Sequence, residues 1–289
     1  MNIGERSRRR MGMWMAFACG CALGVAPVWA SEPASTSSPA PATAAAAAAL
    51  PDAAELIAKY FQVSGGEAWR QHAGRVSTGT FEMPAMGLKA SIITEQAQPN
   101  KLRLTIDIPQ IGKMEQGSDG TSVWSNDAMQ GPRLADGPEK AQIMRSAMMV
   151  PEDSFKQFYS AAKTVADEPV EGVAAWKIEL TPKEGNPEHW WLAKDTGLLV
   201  KTSVTIASPM GEVASESFMS DYRDVDGVKI PFVLTQRAMG MEQVFKTEKV
   251  EHKDIPAERF AIPAEVQALI DAAKKGAPAD ATTPPAGTP

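Results

Sequence analysis

The feature that most constrains the fold is a strict alternation of apolar and polar side chains between residues 101 and 108. The aliphatic members of this stretch are Leu102, Leu104, Ile106 and Ile108, and the residues between them are charged or hydroxylated. Successive side chains of a strand point to opposite faces of a sheet, so the pattern predicts one buried and one hydrated face. Residues 176–181 and 198–206 repeat it, which is typical of antiparallel sheet.

Turn residues divide the chain between residues 75 and 252 into many short strands. Asp119-Gly120, Asp195 to Gly197 and Asp226-Gly227 supply the positive φ conformation that tight reversals need. The predicted strands are residues 75–82, 87–97, 100–108, 111–117, 121–126, 164–170, 173–181, 187–194, 197–207, 212–222, 228–237 and 241–252. So many sequential strands favour one strongly curved sheet or an open barrel in a mainly β, α+β fold.

Three other stretches have helical spacing. Asp52 is expected to cap a helix that runs to Val63, because apolar residues recur at helical intervals and Gly65 follows as a stop. Residues 138–150 are predicted to form a short helix, followed by a helical turn at 155–159, and Pro263 is expected to open the last helix. Helices inserted in a large sheet are candidates for a lid over one of its faces.

Residues 1–30 have the organisation of a signal peptide. Arginines at positions 6 and 8–10 precede an apolar run from Met11 to Ala26, and Val28-Trp29-Ala30 matches the pattern that signal peptidase reads. The run is shorter than the roughly 20 apolar residues that span a membrane. We therefore expect cleavage after Ala30, a periplasmic location, and a mature protein that is not integral to the membrane. The general export route and the twin-arginine route both stay open.

Composition divides the rest of the chain into three parts. Residues 31–50 are almost entirely Ala, Pro, Ser and Thr, and residues 272–289 repeat this bias. Such segments bury too little surface to offset their chain entropy, so we expect a disordered linker and a disordered tail. Residues 51–271 are then expected to form one folded domain.

Cysteine content and charge exclude several classes of function. Cys19 and Cys21 both lie in the signal peptide, so the mature chain is expected to have no disulfide, thiol nucleophile or cysteine metal site, with lipidation of one of them as a less favoured alternative. The formal net charge is −6 for the whole chain and becomes more negative when the arginine-rich signal is removed. An acidic surface argues against nucleic acid as a partner.

No catalytic constellation is recognisable in the sequence. His72, His189 and His252 are far apart, and none has a neighbour at metal-ligand spacing, so surface or turn roles are expected for all three. The acidic cluster at 221–226 is better explained as a charged turn than as a calcium loop, because a strand resumes at Val228. We therefore predict a protein that is not an enzyme and needs no metal and no cofactor.

Methionine is abundant near strand ends and on the predicted 138–150 helix. This flexible side chain adapts to irregular or exchangeable apolar contents. Ordinary core packing is the simpler explanation of each methionine. Their combination with a curved sheet favours a cavity on the concave face.

Two stretches resemble the outer-membrane lipoprotein-sorting family of LolA- and LolB-type carriers and receptors. They are residues 55–61 closed by Ser64-Gly65-Gly66, and residues 221–232. The Asp119-Gly120 turn before Trp124 and the turn at 195–199 fit the same order, so the resemblance covers about residues 52–262. It implies a half-open antiparallel β-barrel of about eleven or twelve strands with lidding helices, whose cavity holds acyl chains.

The sequence thus leads to one main hypothesis, a periplasmic binding or carrier protein for lipid or lipoprotein acyl chains. The residues expected to line the cavity are Leu102, Leu104, Ile106, Trp176 and Ile178, and those expected to cover it are Met144 and Met148. The alternative is an envelope interaction module in which the same sheet has a filled core and binds a protein partner.

Overall fold

The computed structural model describes residues 49–128, 131–208 and 211–276. The helices are α1 (Ala53–Val63), α2 (Ala68–Gln71), α3 (Gly137–Ala147), α4 (Pro151–Phe158) and α5 (Ala264–Gly276), with 3-10 turns at Pro84–Met86 and Ala257–Phe260. The strands are β1 (Gly74–Met83), β2 (Leu88–Ala97), β3 (Lys101–Ile108), β4 (Gly112–Ser118), β5 (Val123–Asp127), β6 (Gly131–Ala135), β7 (Tyr159–Asp167), β8 (Ala175–Pro182), β9 (Glu188–Ala193), β10 (Leu199–Ser208), β11 (Gly211–Val225), β12 (Val228–Ala238) and β13 (Met241–His252).

All these strands form one antiparallel sheet with the order β6-β5-β4-β3-β2-β1-β13-β12-β11-β10-β9-β8-β7. The two edge strands, β6 and β7, are not paired with each other, so the sheet is an open barrel. This confirms the predicted fold class. In the described residues the sheet has 13 strands, against about eleven or twelve expected, and the additional strand is β6. β6 contains Pro132 and shows no alternation, so it had no recognisable strand pattern.

Helix α1 covers the sheet at the β7 end. The Asp52 carboxylate accepts a hydrogen bond from the Ala54 amide at 2.7 Å, which caps the helix as predicted. Ile57 is buried, and it packs in a cluster with strand residues Ile178 and Leu192. One apolar stripe of α1 therefore fills this part of the concave face.

Helix α3 crosses the concave face between the two arms of the sheet. Met144 and Arg145 are consecutive, yet the Met144 sulfur accepts a hydrogen bond from Ser118 on β4 at 3.2 Å, and Arg145 pairs with Glu188 on β9 at 2.6 Å. Because β4 and β9 lie near opposite edges of the sheet, these contacts require strong curvature. We refer to residues 137–147 as the strap.

The C-terminal segment packs on the opposite, convex face. The 3-10 turn at Ala257–Phe260 contacts β3, and α5 contacts β5 and β6. Arg259 pairs with Glu95 at 2.6 Å, and Phe260 and Val266 are almost completely buried. The convex face at this end is therefore covered, whereas on the concave side Trp69 of α2 and Val150 pack against Val228, Ile230 and Phe232 of β12.

The predicted signal peptide, and the linker as far as residue 48, lie outside the described residues. Helix α5 continues to Gly276, past the predicted start of the tail at residue 272, and the rest of the tail also lies outside. Within the described part of the chain, no helix combines the length and apolar character that a membrane crossing requires.

Candidate ligand-binding site

A cavity of about 190 Å³ lies on the concave face at the middle of the sheet. Its walls come from β1, β2, β3, β12 and β13. The lining residues are Ser77, Thr78, Gly79, Ile92, Thr94, Leu104, Leu234, Phe245, Lys246 and Thr247. It combines an aliphatic and aromatic surface with several hydroxyl groups.

Strand register brings these residues together from distant parts of the sequence. Ile92 is paired with Gly79 on one side and with Ile106 on the other, and Leu234 is paired with Phe245. A β-bulge between Thr78 and Gly79 bends β1 at this point. A Cβ at Gly79 would lie 1.9 Å from the Lys246 carbonyl oxygen, so only glycine fits this part of the cavity wall.

The cavity continues into an apolar cluster toward one end of the barrel. Phe81 and Phe245 pack with ring centroids 5.1 Å apart, and Ile106 and Ile108 belong to the same cluster. The hairpin turns at this end have exposed apolar side chains, namely Met86, Ile111 and Met239, and Met114 on β4 is exposed beside them. An apolar surface therefore runs from the cavity to the rim of the barrel.

Beyond the end of the cavity that Ser77 and Thr94 line, the concave face is polar and basic. Arg75 lies two residues before Ser77 on β1, so it faces the same side of the sheet, and its guanidinium donates a hydrogen bond to the Gln96 side chain. The guanidinium also lies 5.5 Å from the centroid of the Trp69 ring. Burial lowers the pKa of Arg75 to about 10.

Two histidines meet next to Arg75. The rings of His72 and His252 stack with centroids 3.8 Å apart, and both donate hydrogen bonds to Asp226, one to the main-chain oxygen and one to the carboxylate, each at 3.0 Å. The His252 side chain is only 4% exposed. The sequence predicted surface or turn roles for the histidines; these two contact the turn at Asp226, and the burial of the His252 side chain was not foreseen because spacing in sequence does not show strand pairing.

The strap is held by a buried ion pair. The Arg145 and Glu188 side chains are 8% and 7% exposed, and the second Glu188 oxygen accepts a hydrogen bond from the Tyr159 hydroxyl at 2.6 Å. Arg145 also donates to the Glu184 carbonyl oxygen at 3.2 Å. Desolvation and the adjacent carboxylate hold the pKa of Tyr159 well above its usual value, so it remains a donor.

A second cavity of about 220 Å³ lies beside this ion pair. Its lining is mostly polar and consists of Pro138, Gln142, Arg145, Gly185, Asn186, Thr205 and Glu212. The Asn186 amide donates to Glu212 at 2.9 Å, so part of this polar surface is already satisfied internally.

The structure divides the predicted site residues into three groups. Leu104 lines the central cavity, and Leu102 and Ile106 are buried on the same face beside it. Met144 contacts Ser118 under the strap, and Met148 is half-buried at the end of α3. Trp176 and Ile178 lie elsewhere.

Those two residues belong to the part of the sheet near α1. Ile178 is fully buried beneath α1, and Trp176 is half-buried with the Lys194 amine 3.8 Å from its ring centroid. Sequence reasoning missed Ile92, Leu234 and Phe245, although each has an apolar side chain on a predicted strand. It also missed Arg75 and Arg145, because nothing in the local sequence distinguishes them from surface arginines.

No protein-family model matches the chain, and no curated protein matches its sequence significantly. A LolA superfamily protein from Nitrosomonas europaea superposes with a TM-score of 0.52 at 13% identity, over 74% of this chain and 99% of that chain.

Two further solved structures are similar. A DUF1329 family protein from Desulfovibrio piger matches with a TM-score of 0.50 at 16% identity, over 73% of this chain and 96% of that one. An outer membrane lipoprotein-sorting protein domain from Vibrio parahaemolyticus has a TM-score of 0.48 at 11% identity, over 71% and 94% of the two chains. The chain has the fold of the LolA superfamily, which the sequence motifs predicted; identities this low show the fold alone.

Proposed function

We propose that this protein is a periplasmic carrier that holds the apolar chain of an amphiphile, such as a lipid or the acyl chains of a lipoprotein, on the concave face of its sheet. The observation that carries the proposal is the central cavity, where Ile92, Leu104, Leu234 and Phe245 meet. The fold shared with a LolA superfamily protein supports a carrier role. The export signal in the sequence supports the periplasmic location.

The energetics of such binding need no catalytic or metal chemistry. Each buried methylene contributes roughly 0.8 kcal/mol, so a chain of moderate length binds through apolar contact alone. The cavity of about 190 Å³ is smaller than most ligand pockets, which occupy roughly 300–1,000 Å³. It accommodates part of a chain, and we expect the rest to extend along the apolar surface toward the rim of the barrel.

The proposed lining differs in part from the residues expected from sequence. Leu104 stays in it, with Leu102 and Ile106 beside it, whereas Met144 belongs to the strap and Met148 follows its last residue. Ile178 is left out because α1 packs over it, and Trp176 is left out because it lies outside the cavity on the same strand.

Adjacent residues on β2 provide a matched test. Ile92 lines the cavity, whereas Ile93 points to the convex face and is 41% exposed. Ile92→Trp fills the cavity, and Ile93→Trp adds the same ring outside it. We expect Ile92→Trp to lower the affinity for a fluorescent fatty acid at least about tenfold, which corresponds to roughly 1.4 kcal/mol. Ile93→Trp should leave this affinity unchanged.

Both variants must retain cooperative urea unfolding for this comparison to be valid. Equal affinity in Ile92→Trp and Ile93→Trp would contradict binding at the cavity. Native mass spectrometry of protein purified from the periplasm without detergent then identifies the natural cargo by its mass.

The exposed rim favours a second candidate, an envelope protein–protein interaction module. Met86 and Met239 are 44% and 41% exposed at neighbouring hairpin turns. In this case a photo-crosslinker at position 86 captures one defined protein partner in cells, whereas a crosslinker at position 93 does not. Ile92→Trp then has no effect on capture of this partner.

A further inference from the structure

Arg75 differs from the other described arginines in its charge partners. The other seven each form a salt bridge with a carboxylate; they are Arg70, Arg103, Arg133, Arg145, Arg223, Arg237 and Arg259. Among the described residues, no carboxylate lies within salt-bridge distance of Arg75, whose contacts are the neutral Gln96 side chain and the Trp69 ring.

A partly buried, uncompensated cation is unfavourable in a protein interior. Removing a charge from water costs free energy, and contacts with a neutral amide and an aromatic ring offset this cost only in part. The lowered pKa of Arg75 has the same cause. An anion at this position would provide the missing partner.

Strand register places Arg75 at the polar end of a gradient along the concave face. Arg75 is paired with Gln96 and His252, and the next inward-facing pair along the strands is Ser77 with Thr94. Beyond these the lining becomes apolar, with Ile92 next to Gly79 and then the Phe81–Phe245 contact. The gradient thus runs from cation through hydroxyls to hydrocarbon.

Distances along the strand fit one amphiphilic molecule. Residues two apart on a strand are separated by about 6.5–7 Å, so the Arg75 backbone is one such step from Ser77, which lines the cavity. An arginine side chain spans this step. Gln96 accepts from Arg75 with its oxygen, which leaves its amide N–H groups available as further donors.

We propose that Arg75 and Gln96 form an anion-binding site for the head group of the bound ligand, a carboxylate or a phosphate, with the apolar chain extending toward Phe81 and Phe245. This inference rests on the proposed function and specifies its ligand class. Guanidinium pairs well with both anions, since its fork of N–H donors matches two oxygens. A fatty acid and an anionic lipid share this head-group chemistry.

Three probes with the same sixteen-carbon chain test the proposal. They are palmitate, hexadecanol and hexadecyl phosphate, each measured by displacement of a fluorescent acyl probe. A hydrogen bond to a charged group is worth roughly 1.5–3 kcal/mol, so the wild-type protein should prefer palmitate over hexadecanol by at least about tenfold. Arg75→Met should reduce this ratio to about one and leave the affinity for hexadecanol unchanged.

The matched control is Arg103→Met on β3, two strands from Arg75 on β1. Arg103 lies on the convex face and pairs with Glu115 at 2.9 Å, so its removal should leave the palmitate preference intact. A stronger preference for hexadecyl phosphate than for palmitate would identify a lipid phosphate as the head group, and the reverse order would identify a free carboxylate; either supports the proposal.

A second measurement separates ligand recognition from a structural role. Without ligand, Arg75→Met removes an uncompensated charge and should not lower the thermal midpoint. A lowered midpoint together with an unchanged palmitate preference would assign Arg75 to structure and overturn the proposal. Equal wild-type affinity for palmitate and hexadecanol would also overturn it while leaving the proposed function in place. Failure of all three probes to bind would instead contradict the proposed function.

Discussion

The strap ion pair allows a quantitative prediction about how the barrel is held closed. The Arg145 guanidinium lies 2.6 Å from one Glu188 oxygen, and the other oxygen accepts from the Tyr159 hydroxyl at 2.6 Å. Both charged side chains are more than nine-tenths buried. Arg145→Met removes the cation and leaves Glu188 as a buried carboxylate that only one hydroxyl compensates.

The expected magnitude follows from that imbalance. Breaking a buried ion pair on one side typically lowers the free energy of unfolding by about 3–5 kcal/mol, because the remaining charge has no partner. The double variant Arg145→Met with Glu188→Gln removes both charges and keeps an acceptor for Tyr159. Its loss should be smaller than that of Arg145→Met, by roughly 2 kcal/mol or more.

Urea unfolding of the single and double variants measures these differences. Lys156→Met is the control, since its pair with Glu152 on α4 is solvent-exposed and should contribute less than about 0.5 kcal/mol. If Arg145→Met costs under 1 kcal/mol, or if the loss in the double variant equals the sum of the losses in Arg145→Met and Glu188→Gln, the buried ion pair does not hold the strap on the sheet.

Three smaller perturbations test other parts of the structure. Gly117→Ala places a Cβ 2.4 Å from the buried Trp124 ring and should lower the free energy of urea unfolding by about 1–3 kcal/mol, with altered near-ultraviolet circular dichroism; an unchanged spectrum would contradict the tight contact. Asp52→Ala removes the cap of α1 and should cost about 0.5–2 kcal/mol in the same assay, whereas Asp52→Asn should cost less. The third perturbation concerns pH. Desolvation lowers the pKa of His252 below its ordinary 6.5, outweighing the opposite effect of Asp226, while His72 and Arg75 add to the lowering. The folded state therefore favours neutral His252, so its contribution is fully present above about pH 6.5 and is lost as the pH falls through the folded-state pKa. His252→Asn should flatten this part of the stability profile, and an unchanged profile would exclude His252 as its cause.

Strand positions were predictable from sequence because alternation is a local property. Leu102, Leu104 and Ile106 lie on one face, as their spacing required. The same alternation at Trp176 and Ile178 did not show that α1 fills that region, because coverage by a helix depends on packing between distant segments. Alternation therefore predicted which side chains face inward, and it did not distinguish cavity from core.

The polar features of the site were less accessible to sequence reasoning. Arg75, Gln96 and His252 become neighbours only through the register of β2, β1 and β13, and positions 75 and 252 are at opposite ends of the domain. The ion pair of Arg145 with Glu188 likewise depends on the curvature of the whole sheet. Long-range pairing of this kind leaves no periodic signal in one sequence.

The cavity and the strap are linked through the energetics of opening. Met144 and Arg145 contact opposite arms of the sheet, so moving the strap away from the concave face requires the Arg145–Glu188 contact to break. The free energy of that step sets the fraction of molecules that are open. For any ligand that needs the open form, the apparent affinity is the intrinsic affinity multiplied by this fraction. A tight strap therefore restrains the two arms of the curved sheet around the cavity, whereas burial of successive methylenes offsets the cost of opening for a long chain. Length of the apolar chain then decides whether a ligand overcomes the strap, and recognition of its head group by Arg75 adds to the affinity.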